Sequence, residues 1–441
     1  MASKISLRRG IGERCAFAHS IDRLDVILAG RGGPEMFRNL GVALFFLVMR
    51  LGTGSCIAQE ERALALVGGT VYALPSAAPL RDAVVVVSRG AITAVGTRSD
   101  VQVPQGVRVI NCTGKSLTAG FWNSHVHFTA AHWRGAATAP ADALTEHMQQ
   151  MLTKWGFTTV WDLGSNASDT LALRRRVDSG EVLGPRIFSA GSIFPKGGHP
   201  IYLPAEMQLP EAATPDEAVA FARKSLALGL DGIKLFTGSY MGDKPVVNMD
   251  VAIAKAAVEV AHAQGKPVFA HPQNTTGVNA VIAASVDVLA HTIPSEPSYT
   301  AEQLTQFNAK GIALVPTLAL WTTVARDQKI TGYLVEAGVK QLRTFAASGG
   351  IVLFGTDVGF TKLYDTALEL EFMGRALSTT DVLASLTTSP AAYFKAAKKG
   401  RVEQGFDADI VILDGDPTAD VRNLSKVAYT IRDGTIIYPM P

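Results

Sequence analysis

Between residues 118 and 399 the chain alternates eight short apolar runs with helical segments, and this alternation limits the fold more than any other feature. The runs are TAGFWNSHVHF (118–128), TTVWDLG (158–164), PRIFSAG (185–191), DGIKLFTG (231–238), PVFAHPQ (267–273), VDVLAHT (286–292), ALVPTL (313–318) and VLFGTDVG (352–359). Their length and their β-branched or aromatic content suit strands buried on both faces, which need no polar alternation. Between them lie stretches such as PDEAVAFARKSLALG (215–229) and DVAIAKAAVEVAHAQG (250–265), helical in pattern and closed by glycine. Eight β/α units over about 280 residues predict an α/β fold, a (β/α)8 TIM barrel. An open doubly wound sheet is the competing arrangement, but no glycine-rich phosphate turn follows the first run.

The flanks read differently. ALALVGGTVYAL (63–74), DAVVVVSRGAITAVG (82–96) and VRVINCTG (107–114) are β-rich runs cut by Gly and Asn, as expected of hairpins. ADIVILDG (408–415) and VAYTIRDGTIIY (427–438) repeat the style at the other end. The expected organisation is a small β-sandwich domain built from both termini, 59–117 and 400–441, around a barrel domain at 118–399.

The first 58 residues need a separate account. Met36-Phe-Arg-Asn precedes the apolar run Leu40–Met49, and small residues follow up to Cys56-Ile-Ala58. A basic start, a short apolar core and a small-residue exit describe a secretory signal peptide at 36–58, cleaved near Ala58, for a periplasmic or secreted product. The run is shorter than the ~20 residues of a membrane span, so no membrane association is expected after processing. A retained anchor, a buried helix or a lipid-modified Cys56 are the other readings; Thr53 stands where lipoprotein signals carry leucine. Residues 1–35, with five arginines, read as an upstream extension ahead of a true start at Met36.

Eight of the 41 Lys/Arg and four of the 39 Asp/Glu lie in this prefix, so the formal +2 becomes −2 without it. That balance gives no basis for a nucleic-acid partner. Of Cys15, Cys56 and Cys112, only Cys112 survives processing, which rules out an intramolecular disulfide in the mature chain.

Polar residues gather at the ends of the apolar runs. His125 and His127 close the first; in an extended strand alternate side chains share a face, so the two imidazoles can chelate a metal. Lys234 lies in the fourth run, His271 in the fifth, His291 in the sixth and Asp357 in the eighth. Singly, each histidine has a plain reading as a packed core residue, and Asp357 as a helix cap. Lys234, flanked by Ile233, Leu235 and Phe236, is harder to place so simply, because burying an unpaired ammonium is costly. In a barrel the C-terminal strand ends meet at one mouth, which would bring all six together.

With these motifs (HVH, IKLF, FAHP, LAHT and GTD in order) the chain resembles the amidohydrolase superfamily of metal-dependent hydrolases. The resemblance is to its imidazolonepropionase-related, Xaa-Pro-dipeptidase-like and ochratoxinase-like branch with a carboxylated lysine. It extends over the tail as well, where ALELEFM, TTSPAAYF and VEQGFDADIVILDGDP look like the family's closing helices and return strand. The resemblance implies two divalent metal ions, Zn²⁺ first among them. His125, His127 and Asp357 would hold the more buried ion, His271 and His291 the other, and Lys234, carboxylated by CO2, would bridge them. It implies attack by a metal-bridging hydroxide on an amide bond of a dipeptide, N-acyl amino acid or ochratoxin-like aryl amide. Asp357 would be general base and then acid, and His199 and Tyr240, in the loops after the third and fourth strands, would contact substrate.

The same site would also serve an ester, lactone or phosphotriester hydrolase, and a non-catalytic structural relative is the remaining alternative. A mononuclear deaminase fits less well, since Lys234 would have no task and no Glu stands near His271. His132, His147 and His262 read as surface or packing residues and Asp162 as structural. Trp321 and Arg326 are candidates to shape a substrate pocket. A homo-oligomer is compatible with the sequence.

Overall fold

The computed structural model describes residues 63–205, 207–294, 296, 298–327 and 333–440. The expected extension at 1–35 and signal peptide at 36–58 lie outside these residues. No helix among the described residues is long and apolar enough to cross a membrane.

Both chain ends build one sheet of eight described strands. Its order runs Thr435–Tyr438, Val427–Arg432, Ile410–Leu413, Ser116–Ala119, Leu64–Val71, Leu80–Ser88 and Ala91–Thr97, with Arg108–Asn111 also paired to Leu64–Val71. The N- and C-terminal parts meet where Ser116–Ala119 runs antiparallel to Ile410–Leu413, Leu117 opposite Ile412. Leu64–Val71 takes partners along its whole length because its register shifts around Gly69. Alternate residues (Leu64 and Leu66, Val85 and Val87, Ile410 and Ile412) point into one enclosed apolar core with Cys112.

At Gly120 the chain leaves this sheet for the barrel. Seven parallel strands follow one another: Phe121–Val126, Phe157–Asp162, Arg186–Pro195, Gly232–Phe236, Val268–His271, Val288–Ala290 and Ala313–Val315. The eighth run, VLFGTDVG, is not a regular strand but closes the ring. It bridges Val352 to Leu314 and Val358 to Val126, and Ser124 N donates to Phe354 O at 2.7 Å. Its glycines explain the irregularity. A Cβ on Gly355 would stand 3.0 Å from His125 Cβ, and one on Gly359, at φ +101°, would overlap His127 O. The (β/α)8 barrel is therefore present, with its last strand shaped to lie against the HVH segment.

The helices between strands start where the sequence supplies caps. Thr214 and Glu217 form a reciprocal capping box with Pro215 at the first turn of Pro215–Ala227, and Thr300 with Gln303 does the same for Ala301–Lys310. Inside the barrel, Trp122, Trp161, Phe188 and Phe269 stack with centroids 5.0–6.2 Å apart. These rings fill the barrel towards the N-terminal strand ends and leave its other end to polar residues.

Candidate active site

A strictly extended first strand would put Trp122 and His125, three positions apart, on opposite faces. Register shifts between Asn123 and Val126 let both point inward. Asn123 holds this geometry: its Oδ1 accepts from His125 N and Thr356 N, both at 3.2 Å, and its Nδ2 donates to Thr356 Oγ1 at 2.8 Å. The strand bearing His125 is thus tied to the segment bearing Asp357.

The six residues singled out from the sequence all line one cavity of about 1140 Å³ at the C-terminal strand ends. His125 Nε2 and His127 Nε2 lie 3.3 and 3.0 Å from Asp357 Oδ1. One ligand atom from each of these three comes within 4.8 Å of the others. The His125 ring is 4.6 Å from that of His291, which is 4.8 Å from that of His271. Lys234 is 1% exposed, its Nζ 5.7 Å from the Phe236 ring. Phe236 in turn stacks between Phe194 and His271.

Burial governs the protonation of this set. It pushes His125 and His291 well below the ordinary imidazole range and His271 down to about 3, with Lys234 and the neighbouring histidines adding to the effect. Burial also lowers Lys234 to about 7, partly opposed by the Asp357 charge. His125, His271 and His291 are therefore neutral, with lone pairs to offer, and the amine sheds its proton near neutrality. Asp357 Oδ1 and His125 Nδ1 are buried without a hydrogen-bond partner. Buried nitrogen and carboxylate donors with unused lone pairs and no thiolate fit a divalent cation of the zinc type.

Other expected residues are placed variously. Tyr240 lines the cavity. His199 is not among the lining residues: its ring nitrogens lie 3.2 and 3.3 Å from the carbonyl oxygens of Pro200 and Met207, so the ring braces the loop that carries it. Trp321 lines the wall and donates from Nε1 to Thr292 Oγ1 at 2.8 Å. Arg326 is outside the cavity, exposed and paired with Asp327 at 3.0 Å, because its helix turns it to solvent. Asp162 is structural, accepting from Ser165, Thr170 and Ser189. His132 and His147 stack on each other beside Trp133, and His262 pairs with Asp287 on the outside.

Three contributors were not singled out from the sequence. Tyr202, 37% exposed, lines the cavity and meets Phe360 edge-on at 5.1 Å. Thr317 Oγ1 lies 2.7 Å from His291 Nδ1. Glu369, wholly buried, accepts from Leu318 N and Ala319 N at 2.8 and 2.6 Å, and burial raises it to about 8 despite those bonds. Tyr202 was signalled only by its place in the loop after the third strand, and the other two by nothing local.

Fold and site together define a barrel hydrolase with a buried imidazole and carboxylate cluster at the strand ends. A family model described as the amidohydrolase family matches residues 116–437, and the chain belongs to that family. It is a hydrolase acting on C–N bonds, in a family that generally uses divalent metals. Ochratoxinase of Aspergillus niger is 25% identical over 398 residues, which cover 78% of this chain and 80% of that enzyme. A solved structure described as a candidate prolidase from Bifidobacterium longum is 27% identical with a TM-score of 0.72, covering 86% of this chain and 95% of its own. A Xaa-Pro dipeptidase with methionine bound in its active site has the same fold at a TM-score of 0.74 and 23% identity, covering 85% and 99%.

Proposed function

We propose that this chain is a binuclear metal-dependent amidohydrolase that cleaves the amide bond of a dipeptide, an N-acyl amino acid or an ochratoxin-like aryl amide. The observation that carries the reading is the convergence of four histidines, an aspartate and a buried, readily neutral lysine on one cavity. His125, His127 and Asp357 would hold one divalent cation and His271 and His291 the other, with Zn²⁺ the expected metal. Such cations, when bound, polarise the scissile carbonyl and lower the pKa of water to near neutrality.

The chain's own groups supply the rest. The neutral Lys234 amine would add to CO2: its nitrogen attacks the carbon to form an N–C bond, one amine proton passes to water, and the carbamate would offer oxygen donors to the cations. That conversion explains why a lysine is tolerated at 1% exposure. Asp357 Oδ1, buried beside His125 and His127, takes the proton of the attacking water and returns it to the departing amine nitrogen. Tyr240 and Tyr202, on the cavity wall, can donate hydroxyl protons to the developing oxyanion. Trp321, Phe360 and Leu320 offer an apolar wall for an aromatic or aliphatic side group. The similarity to ochratoxinase and to the candidate prolidase, at 25% and 27% identity, supports this choice of bond.

The test is a hydrolysis screen of dipeptides, N-acyl amino acids, aryl amides of amino acids, lactones and phosphotriesters, with Zn²⁺ and with chelator. Chelator-sensitive turnover of amides is the expected result. Turnover confined to esters or phosphotriesters would refute the amide assignment.

A further inference from the structure

Glu369 has no task in the reaction outlined above, yet it is a carboxyl side chain with 0% exposure, 51 and 50 positions along the chain from the Leu318 and Ala319 N–H groups it binds. It lies on the helix Ala367–Gly374, which follows the segment bearing Asp357. Its two oxygens take the N–H groups of Leu318 and Ala319, just ahead of the helix Leu320–Asp327. Those N–H groups have no partner within that helix, and each takes one oxygen of the Glu369 side chain as its acceptor.

The turn that Glu369 grips holds the His291 segment at four points. His291 N donates to Val315 O at 2.9 Å and Thr292 N to Pro316 O at 3.3 Å. Trp321 Nε1 donates to Thr292 Oγ1 at 2.8 Å, and Thr317 Oγ1 lies 2.7 Å from His291 Nδ1. With the Thr317 hydroxyl hydrogen directed to Pro316 O, 2.9 Å away, its oxygen is left to accept from His291 Nδ1–H. The tautomer that results leaves the Nε2 lone pair of His291 for a ligand bond. Both residues sit in the left-handed region, Thr317 at φ +45° and His291 at φ +80°. A non-glycine residue stays there only when its surroundings over-determine it.

We propose that Glu369 is a positioning residue for His291: through the 317–319 turn it holds Thr317 where it selects the His291 tautomer and ring orientation needed to bind a divalent cation. This role rests on the reading of His291 as a metal ligand. Partners that orient a ligating histidine in this way typically contribute ten- to a hundredfold in metal affinity.

The experiment titrates Zn²⁺ and Co²⁺ into metal-free wild type, Glu369→Gln, Thr317→Val, their double variant, and Ser378→Ala. Glu369→Gln keeps the shape but offers one acceptor where two N–H groups need one each. Ser378 caps the helix Thr379–Leu386, away from the 317–319 turn, and controls for loss of stability alone. Expected are two cation equivalents in wild type and in Ser378→Ala. In Glu369→Gln and in Thr317→Val, one of the two equivalents should weaken by roughly tenfold or more, with a changed Co²⁺ visible spectrum. The double variant should lose little more than either single one, because both act on one path. Thr317→Ser, titrated alongside, should keep the wild-type affinity and spectrum, because it keeps the hydroxyl. Two equivalents with wild-type affinity and spectrum in Glu369→Gln would overturn the positioning role alone. A wild-type chain that binds no cation would overturn the metal reading, and this role with it.

Discussion

Lys234→Met separates what the lysine costs the fold from what it gives the site. Burial lowers Lys234 from 10.5 to about 7. At about 1.4 kcal/mol for each tenfold in proton affinity, folding with the amine protonated costs about 5 kcal/mol. The unfolded chain keeps this proton up to about pH 10.5, whereas the folded chain releases it near 7. Between those values the unfolded state carries more protons, so the wild type gains stability as pH rises. Methionine has similar length and no charge. Metal-free, CO2-depleted Lys234→Met should therefore be more stable than wild type at pH 6, by about 3–5 kcal/mol. The advantage should hold below pH 7 and shrink steadily towards pH 10. With Zn²⁺ and bicarbonate added the order should reverse, because only wild type gains stability from bound metal. Urea unfolding followed by tryptophan fluorescence at pH 6, 8 and 10 reads the difference. A variant no more stable than wild type at pH 6, or an advantage unchanged from pH 6 to 10, would refute the reasoning.

The remaining predictions are narrower. Asp357→Asn should give a normal circular dichroism spectrum and lose on the order of 10³-fold in kcat, and near-normal turnover would remove Asp357 from proton transfer. Tyr240→Phe should lower kcat on the order of a hundredfold, whereas His199→Ala should mainly raise KM, a split measurable by steady-state kinetics. Gly355→Ala should destabilise the apoprotein by about 1–3 kcal/mol in thermal melts, since its Cβ would meet Val315 Cγ1 at 2.3 Å and His125 Cβ at 3.0 Å. Expression from Met36 should release a protein that begins at Gln59 in the periplasm, read by N-terminal sequencing; an uncleaved cytoplasmic product would end the export reading.

The barrel was legible because its strands are buried on both faces. Runs such as DGIKLFTG and VDVLAHT cannot be solvated, and their spacing by helix-length segments leaves few other folds. That six polar residues would line one cavity was legible for the same reason, since a lysine or histidine in such a run demands an explanation. What the runs do not display is the partner of each loop. Asn123 and Thr356 bond across 233 positions, and Glu369 reaches back to Leu318 and Ala319. Nothing local distinguishes Glu369 from Glu371 two positions on, although Glu369 is wholly buried and Glu371 is exposed. His199 and Tyr202 pose the same difficulty inside one loop: which ring faces the cavity depends on carbonyls that only the folded loop presents.

The alternation rule itself fails at two of the proposed ligand positions, His125 and His291, and the failures are informative. In the sixth strand Val288 faces the barrel interior and Leu289 the surrounding helices, so strict period two would send His291 outward with Leu289. Its φ of +80° turns it inward instead. In the first strand the same out-of-phase step between Trp122 and His125 is absorbed by a register shift. Such backbone costs about 1–3 kcal/mol at a single residue and survives only where the neighbourhood enforces it. Here the enforcement is visible at both places: Asn123 with Thr356 beside His125, and Thr317 with Glu369 beside His291. Polar groups that stabilise packing alone would not need to hold two imidazoles against the strand's own phase. Holding lone pairs towards one point does require it, and that makes these buried partners part of the site.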